Sequence, residues 1–287
     1  MDAPPEVENV AKFVANADAL RALHVKTPNV YARDDALGFL LLEDFGDTTY
    51  LRALTQAQTP PEALYHQAIE SLIRLQSGYQ LTPNALSLPA YDADWLSMEV
   101  GLFREWYVER HLGVTLNSEQ AAILTGFQAQ LVDACLAQPQ TWVHRDYHSR
   151  NLMVLDGEQP GVLDFQDMVI GPLSYDIASL LKDCYIAWPR SQQMAWLIAY
   201  WEQACAQLNL PNLDFATLTR WYDFAALQRH MKVLGIFCRL NYRDSKPHYM
   251  NDLPLVADYV LETLARYPEF EPVQAALGDL ISQAATV

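Results

Sequence analysis

The chain has 287 residues, 51% of them hydrophobic, enough for one large domain or two modest ones around a substantial core. Its 35 acidic against 19 basic residues give a formal charge of −16, which argues against a general nucleic-acid binder, since phosphate-backbone affinity needs a basic footprint. It does not exclude a phosphorylated small molecule bridged to carboxylates by a metal ion.

Four cysteines, Cys135, Cys184, Cys205 and Cys238, form no Cys-x-x-Cys pair, and free buried thiols are expected. With no charged leader and no window of about 18 uninterrupted apolar residues, the expectation is a cytoplasmic monomer with neither membrane nor nucleic-acid partners.

From Pro5 to about His24, Val7, Val10, Phe13, Val14, Ala17 and Leu20 recur at helical spacing. TPNVYARDDALGFLLLEDFG then reads as two strands joined by a DDALG turn, and LLEDFGD breaks from buried strand to acidic connector. Residues 48–81 look helical, with TPPEALYHQAIESLIRL as a proline-started helix. Residues 82–97 are turn-rich, 98–112 and 117–137 helical, and nearly everything from Ser174 onward has helical periodicity, ending in a loose ISQAATV tail. The layout is α+β, a mostly helical body with one short β insert at 142–167.

That insert lies in TWVHRDYHSRNLMVLDGEQPGVLDFQDM. Leu152–Leu155 and Gly161–Leu163 are β-like runs around the turn DGEQPG, so Asn151 and Asp164, 13 residues apart, face one small volume. Asp146, five residues before Asn151, reaches it from the preceding loop. An amide oxygen and a carboxylate are hard ligands suited to Mg2+ rather than zinc. Such an ion would neutralise nucleotide triphosphate oxygens, leaving Asp146 to orient an acceptor hydroxyl and take its proton. Taken singly, Asp156, His148 or Asp167 reads as a capping or surface residue; the combined spacing points to chemistry.

The segments HRDYHSRN and LDFQD resemble the catalytic and metal-binding loops of the aminoglycoside phosphotransferase-like branch of the protein kinase superfamily. The resemblance implies a two-lobe kinase-like fold, with ATP and Mg2+ as cofactors. Residue by residue it implies Asp146 as catalytic base, Asn151 and Asp164 as metal ligands, and His144 as a loop-packing residue. LLEDFGD resembles the lobe connector, which would bring Glu43, Asp44 and Phe45 to the adenine edge. GPLSYDIASLL resembles the segment whose aspartate, here Asp176, ties the loops together; its place at a helix start also suits a structural role.

Within that branch the MDAPPE opening, LLLEDFGD, WVHRDYHSRNLM and GVLDFQDMVIGPLSYDIASLLKD look most like bacterial cell-wall-recycling kinases. Those phosphorylate the anomeric hydroxyl of N-acetylmuramate and N-acetylglucosamine. An aminoglycoside, choline or homoserine kinase, an inactive relative, or a metal-dependent phosphohydrolase is the alternative.

For the acceptor, FREWYVERHLG supplies Arg104, Glu105 and Trp106, and QRHMKVLGIFCRLNYRDSKPHY supplies Arg229, His230, Lys232, Arg239, Asn241 and Arg243. Arg104, His148, Arg229 and Arg239 are the substrate-binding candidates. Basic residues at 229, 232, 239, 243 and 246 fall near one helix side, open to a sugar acid or to surface pairing with acids. Trp95, Trp106, Trp221 and Tyr222 would stack on a sugar or pack in the core.

Only 43 residues precede Asp44, so residues 1–43 make a partial nucleotide-binding lobe, 44–47 a connector and 44–287 the catalytic and substrate-binding lobe. Compared with the family, the first three strands and the strand lysine are missing, and a shortened chain or misplaced start is expected. Glu6 or Glu8 stands where family helices carry a lysine-pairing glutamate, but with no such lysine neither is assigned a catalytic role.

Overall fold

The computed structural model describes residues 10–286 apart from Gln58 and Glu158. The expected helix start at Pro5, with Val7, Glu6 and Glu8, lies outside the described residues. The chain is α+β, with short strand pairs near its beginning and middle and helices dominating the rest. It divides into two compact units. One comprises the chain up to Ala90 with Gln140–Leu181 and Trp188–Leu218; the other comprises Tyr91–Pro139, Lys182–Ala187 and Thr219–Val287.

In the first unit, α1 (Val10–Ala22) buries Val10, Phe13, Ala17 and Leu20, the stripe its three-and-four spacing creates. Strands β1 (Val30–Asp34) and β2 (Phe39–Leu42) pair antiparallel, with Asp34 opposite Phe39 and Val30 opposite Leu42. The DDALG turn closes because the Asp34 carboxylate accepts from Ala36 N and Leu37 N, and Gly38 takes the left-handed conformation. Helices α2 (Tyr50–Thr55), capped by Thr49, and α3 (Pro61–Leu81) follow.

Four short strands carry the site. Strand β3 (Gln140–Val143) pairs antiparallel with β6 (Val169–Pro172), while β4 (Leu152–Met153) pairs with β5 (Gly161–Val162) inside that bracket. The inner hairpin matches the expectation. The outer pair was not anticipated: the β insert extends beyond 142–167, and its four-residue strands close the base of both loops. Helix α6 (Tyr175–Leu181) is buried along its whole length, and α7 (Arg190–Gln207) packs on α3.

The second unit contains α4 (Ala93–Leu102), its π-helical continuation Phe103–His111, α5 (Ser118–Leu136), most of α8 (Phe215–Asp244), α9 (Leu253–Leu264) and α10 (Glu271–Ser282). Residues 93–97 are therefore helix rather than turn, because Asp92 caps α4 by accepting from Trp95 N. The closing ISQAATV is not loose over its described part: α10 continues into a 3-10 turn, with Ile281 and Ala284 buried. Among the described residues no helix is long and apolar enough to cross a membrane.

All four cysteines are free, and burial raises the thiol pKa of Cys135 to about 12. In this second unit's core, buried Lys182 donates to Asp223 at 3.0 Å and to Thr263 Oγ1 at 2.9 Å. Tyr267 OH donates to the other Asp223 oxygen at 3.0 Å.

Candidate active site

The loop after β3 is built around Asp176 at the start of α6. Its carboxylate accepts from His144 N at 2.6 Å and Arg145 N at 3.0 Å. Complete burial raises its pKa to about 6, against the pull of those two donors. The His144 ring then spans the two loops: Nε2–H donates to Leu163 O at 2.9 Å, and Nδ1 accepts from Asp146 N at 3.3 Å. With these partners Nε2 serves as the donor and Nδ1 as the acceptor. Tyr147 OH donates to Ala68 O of α3 at 2.8 Å, fastening the loop from the other side. Arg145, at φ 77°, holds a left-handed backbone that side chains resist, which turns the chain so that Asp146 follows half-buried rather than enclosed.

The hairpin brings Asn151 and Asp164 side by side. Leu163 N donates to Asn151 O at 3.0 Å, and the Asn151 amide lies 3.3 Å from Asp164 Oδ2. The same Asn151 Nδ2 donates to Asp146 O at 3.0 Å. The amide is thereby oriented, and no donor among the described residues holds its Oδ1. Asp164 is exposed and, at φ 63°, left-handed, as Arg145 is; Gln166 Nε2 donates to its Oδ1 at 2.8 Å. An amide oxygen and an exposed carboxylate, held among the described residues only by the neutral donors Asn151 Nδ2 and Gln166 Nε2, are the donor types that suit a small hard cation. No cluster of three or more His, Cys, Asp or Glu side chains suited to a metal occurs among the described residues.

Several supports escaped the sequence reading. Asn16, buried in α1, donates from Nδ2 to Phe165 O at 3.0 Å and Gln166 O at 3.2 Å, while Phe13 packs on Phe165 with centroids 4.7 Å apart. Lys12 pairs with Asp167 at 3.3 Å. The only sequence signal was a polar residue on an apolar helical stripe.

In the connector, the Glu43 side chain is already engaged. It accepts from Lys26 Nζ at 2.8 Å, Asn29 N at 3.1 Å and Asn29 Nδ2 at 2.6 Å, and the Lys26 bond above all holds its pKa below the usual range. Asp44 accepts from Gly46 N at 2.8 Å, closing a turn. Half-buried Phe45 lies against Gly161 of β5, and Lys26 Nζ sits 5.3 Å from its ring centre. The Glu43 backbone is engaged as well, its N–H donating to Asn29 O at 2.8 Å.

His148 lies buried in the loop, its N–H donating to Asp146 O at 3.1 Å. The other substrate candidates belong to the second unit. Arg104 is exposed and bonds Glu109 at 2.8 Å. Arg229 is buried, with Nη1 donating to Cys184 Sγ at 3.1 Å; Arg239 is half-buried and its Nε has no partner among the described residues. The basic side of α8 is not a surface ladder: Lys232 is buried and pairs with Glu99 at 3.0 Å. Ser245, at φ 56°, follows the helix end, so Lys246 falls outside it. Tyr222 is core, whereas Trp95, Trp106 and Trp221 are half-buried.

A protein-kinase-like phosphotransfer site is the class these loops define. Residues 1–228 match the model described as the phosphotransferase enzyme family, and the chain belongs to that family. It is 42% identical over 283 residues to the N-acetylmuramate/N-acetylglucosamine kinase of Pseudomonas putida, covering 99% of this chain and 80% of that protein. The protein of the same name from Neisseria meningitidis is 40% identical over 284 residues, covering 98% and 83%.

Solved structures share the fold at low identity. The choline kinase from Cryptosporidium parvum superposes with a TM-score of 0.60 at 12% identity, over 94% of this chain and 82% of that one. The GDP complex of aminoglycoside 2'-phosphotransferase-IIIa gives 0.59 at 15%, over 90% and 83%.

Proposed function

We propose that the chain catalyses ATP-dependent phosphorylation of the anomeric hydroxyl of N-acetylmuramate and N-acetylglucosamine, as in peptidoglycan recycling. The observation that carries this reading is identity of 40–42% to kinases named for these two sugars, running over 98–99% of the chain and so through every loop described above. Asp146 acts as the base: it orients the sugar hydroxyl and accepts its proton as the phosphoryl group passes to it. Asn151 and Asp164 hold magnesium, which when bound neutralises charge on the transferring phosphate. The backbone of Glu43–Phe45 meets adenine, with residues 1–43 as a partial nucleotide-binding lobe, 44–47 as connector and 44–287 as the catalytic and substrate-binding lobe. His148, Arg104, Arg229 and Arg239 are its acceptor-side candidates, and the enzyme works as a cytoplasmic monomer on nucleotide and sugar alone.

His144 and Asp176 do not touch the reactants in this scheme; they fix the distance between the base and the metal ligands. The test is a panel of acceptors with ATP and magnesium, products read by phosphorus NMR. A sugar 1-phosphate from either N-acetylated sugar is expected. Phosphate transferred to an amino alcohol or an aminoglycoside, with none on these sugars, overturns the substrate; phosphate released without any acceptor overturns the reaction.

A further inference from the structure

Gln76 of α3 is buried, and it is bonded through its backbone and its side chain to the two segments that lead into the Asp176 clamp. Its carbonyl accepts from Thr141 Oγ1 at 2.8 Å, and its Nε2 donates to Leu173 O at 2.9 Å. Thr141 of β3 stands three residues before His144, and Leu173, just after β6, stands three before Asp176. One side chain of α3 therefore holds the turn that delivers the carboxylate, while its own carbonyl holds the strand that delivers the His144 and Arg145 N–H donors. Helix and strand are in close contact here, since a Cβ on Gly78 would run into the Trp142 ring.

Tyr200 of α7 orients the amide. Its OH donates to Gln76 Oε1 at 2.7 Å and lies 3.3 Å from Leu173 O. With the phenol on Oε1, Nε2 is the end that faces Leu173 O; the reverse orientation would set two acceptors against each other. Gln76, Thr141 and Tyr200 are all buried, so a polar group that loses its partner pays its full desolvation, and the bonds stand or fall together. A network of this kind specifies one arrangement where an apolar side chain of the same size would tolerate several.

We infer that Gln76, oriented by Tyr200, is a positioning residue for phosphotransfer: by holding Thr141 and Leu173 it sets the separation of the His144–Arg145 backbone from Asp176, and through that loop the place of Asp146. The catalytic part of this role rests on the reading of Asp146 as base; the hold on Thr141 and Leu173 does not. Loosening the clamp withdraws donors from the Asp176 carboxylate, which disfavours its charged form and raises its pKa further. Of the titratable groups that face Asp176, the His144 ring lowers that pKa and the Asp146 carboxylate raises it. The other two, Tyr147 and Tyr200, are kept protonated by burial, so Tyr200→Phe removes no charge and acts through the clamp alone.

The experiment compares the full chain with Tyr200→Phe, Gln76→Met and, as a control, Ile73→Val, which trims a buried apolar side chain of the same helix. Three quantities are measured: hydrogen exchange of the 144 and 145 amides by NMR without nucleotide or sugar, the pH profile of turnover, and Tm. Tyr200→Phe and Gln76→Met are expected to speed exchange at both amides and to lower kcat by about 10- to 100-fold, with clearly less change in the KM for ATP. The acid limb of turnover moves to higher pH in both. Ile73→Val lowers Tm and leaves the exchange and the acid limb where wild type has them.

If Tyr200→Phe and Gln76→Met lower Tm but match Ile73→Val in exchange and acid limb, Gln76 is a packing residue and the role is overturned. Faster exchange with kcat unchanged overturns its catalytic part. Tyr200→Phe keeps the ring, so it carries the test if Gln76→Met does not fold. Exchange also separates this role from the proposed function: a wild-type chain that phosphorylates neither sugar defeats the function, while the 144 and 145 amides still report whether Gln76 holds the clamp.

Discussion

Gly161→Ala tests whether the β4–β5 hairpin and the connector are one mechanical unit. Gly161 is buried in β5, three residues before Asp164, and a Cβ there would stand 2.5 Å from Phe45 Cδ2, 2.7 Å from Cε2 and 3.2 Å from Leu155 Cδ1. Carbon atoms rest at about 3.5–4.0 Å, so the Phe45 ring or the strand must retreat by about 1 Å. Overpacking of this size costs about 1–3 kcal/mol, and replacing glycine returns about 0.4–1 kcal/mol through the unfolded chain. The net loss is about 1–2 kcal/mol, roughly 2–6 °C in Tm for a chain of this size.

If Phe45 moves instead of the strand, the same energy appears in nucleotide binding as a rise in the KM for ATP of about 5- to 30-fold. Phe45→Leu in the Gly161→Ala background opens the space again, so the double variant should recover most of whichever quantity was lost. Differential scanning calorimetry and ATP-dependent turnover measure both. Gly161→Ala with unchanged Tm and KM, or a Phe45→Leu background that rescues neither, refutes the contact as a link between connector and hairpin.

Asp146→Ala should lower kcat by about 10²- to 10⁴-fold while calorimetry still detects magnesium-nucleotide binding, whereas Asp164→Ala should lose the metal-dependent part of that binding too. Asp176, with its pKa raised to about 6 from 3.8, holds its proton more tightly folded than unfolded between about pH 4 and 6. Its contribution to stability is therefore present below that window and falls as pH rises through it, by on the order of 3 kcal/mol; urea unfolding of wild type should show a slope that Asp176→Asn lacks. Turnover should move oppositely, declining below about pH 6 as the protonated carboxyl gives up one of the two backbone donors of His144 and Arg145. Lys182→Met, which removes the buried cation from Asp223 and leaves it Tyr267 OH and the more distant Arg266, should cost about 3 kcal/mol, and a second substitution of Asp223→Leu should return part of it in thermal melts.

The residues readable in advance were those whose geometry is local. Asn151 and Asp164 meet because a short turn joins two short strands, and strand pairing alone decides which ends come together. The β1–β2 turn was legible for the same reason, since Asp34 makes its bonds two and three residues on. Strands β3 and β6 were not, because each has four residues and its partner lies beyond the whole hairpin, so no turn announces the pairing. The π-helix was equally hidden: Phe103, Tyr107 and Val108 bury at a spacing that an α-helix also gives.

Charge misled in a related way. Lys182, Arg229 and Lys232 look like solvated residues in a chain with 35 acids, yet all three are buried. Lys182 and Lys232 are tolerated there because Asp223 and Glu99, distant in sequence, neutralise them. Asn16 inverts the case: an amide on an apolar stripe looks like a packing fault until the carbonyls of Phe165 and Gln166 appear opposite it. Those carbonyls point at α1 because Asp164 just before them is left-handed, a conformation that costs about 1–3 kcal/mol for a residue with a side chain. Asn16, Gln166 and the Phe13–Phe165 contact together hold that turn, so α1, with no reacting group of its own, sets where the Asp164 carboxylate stands.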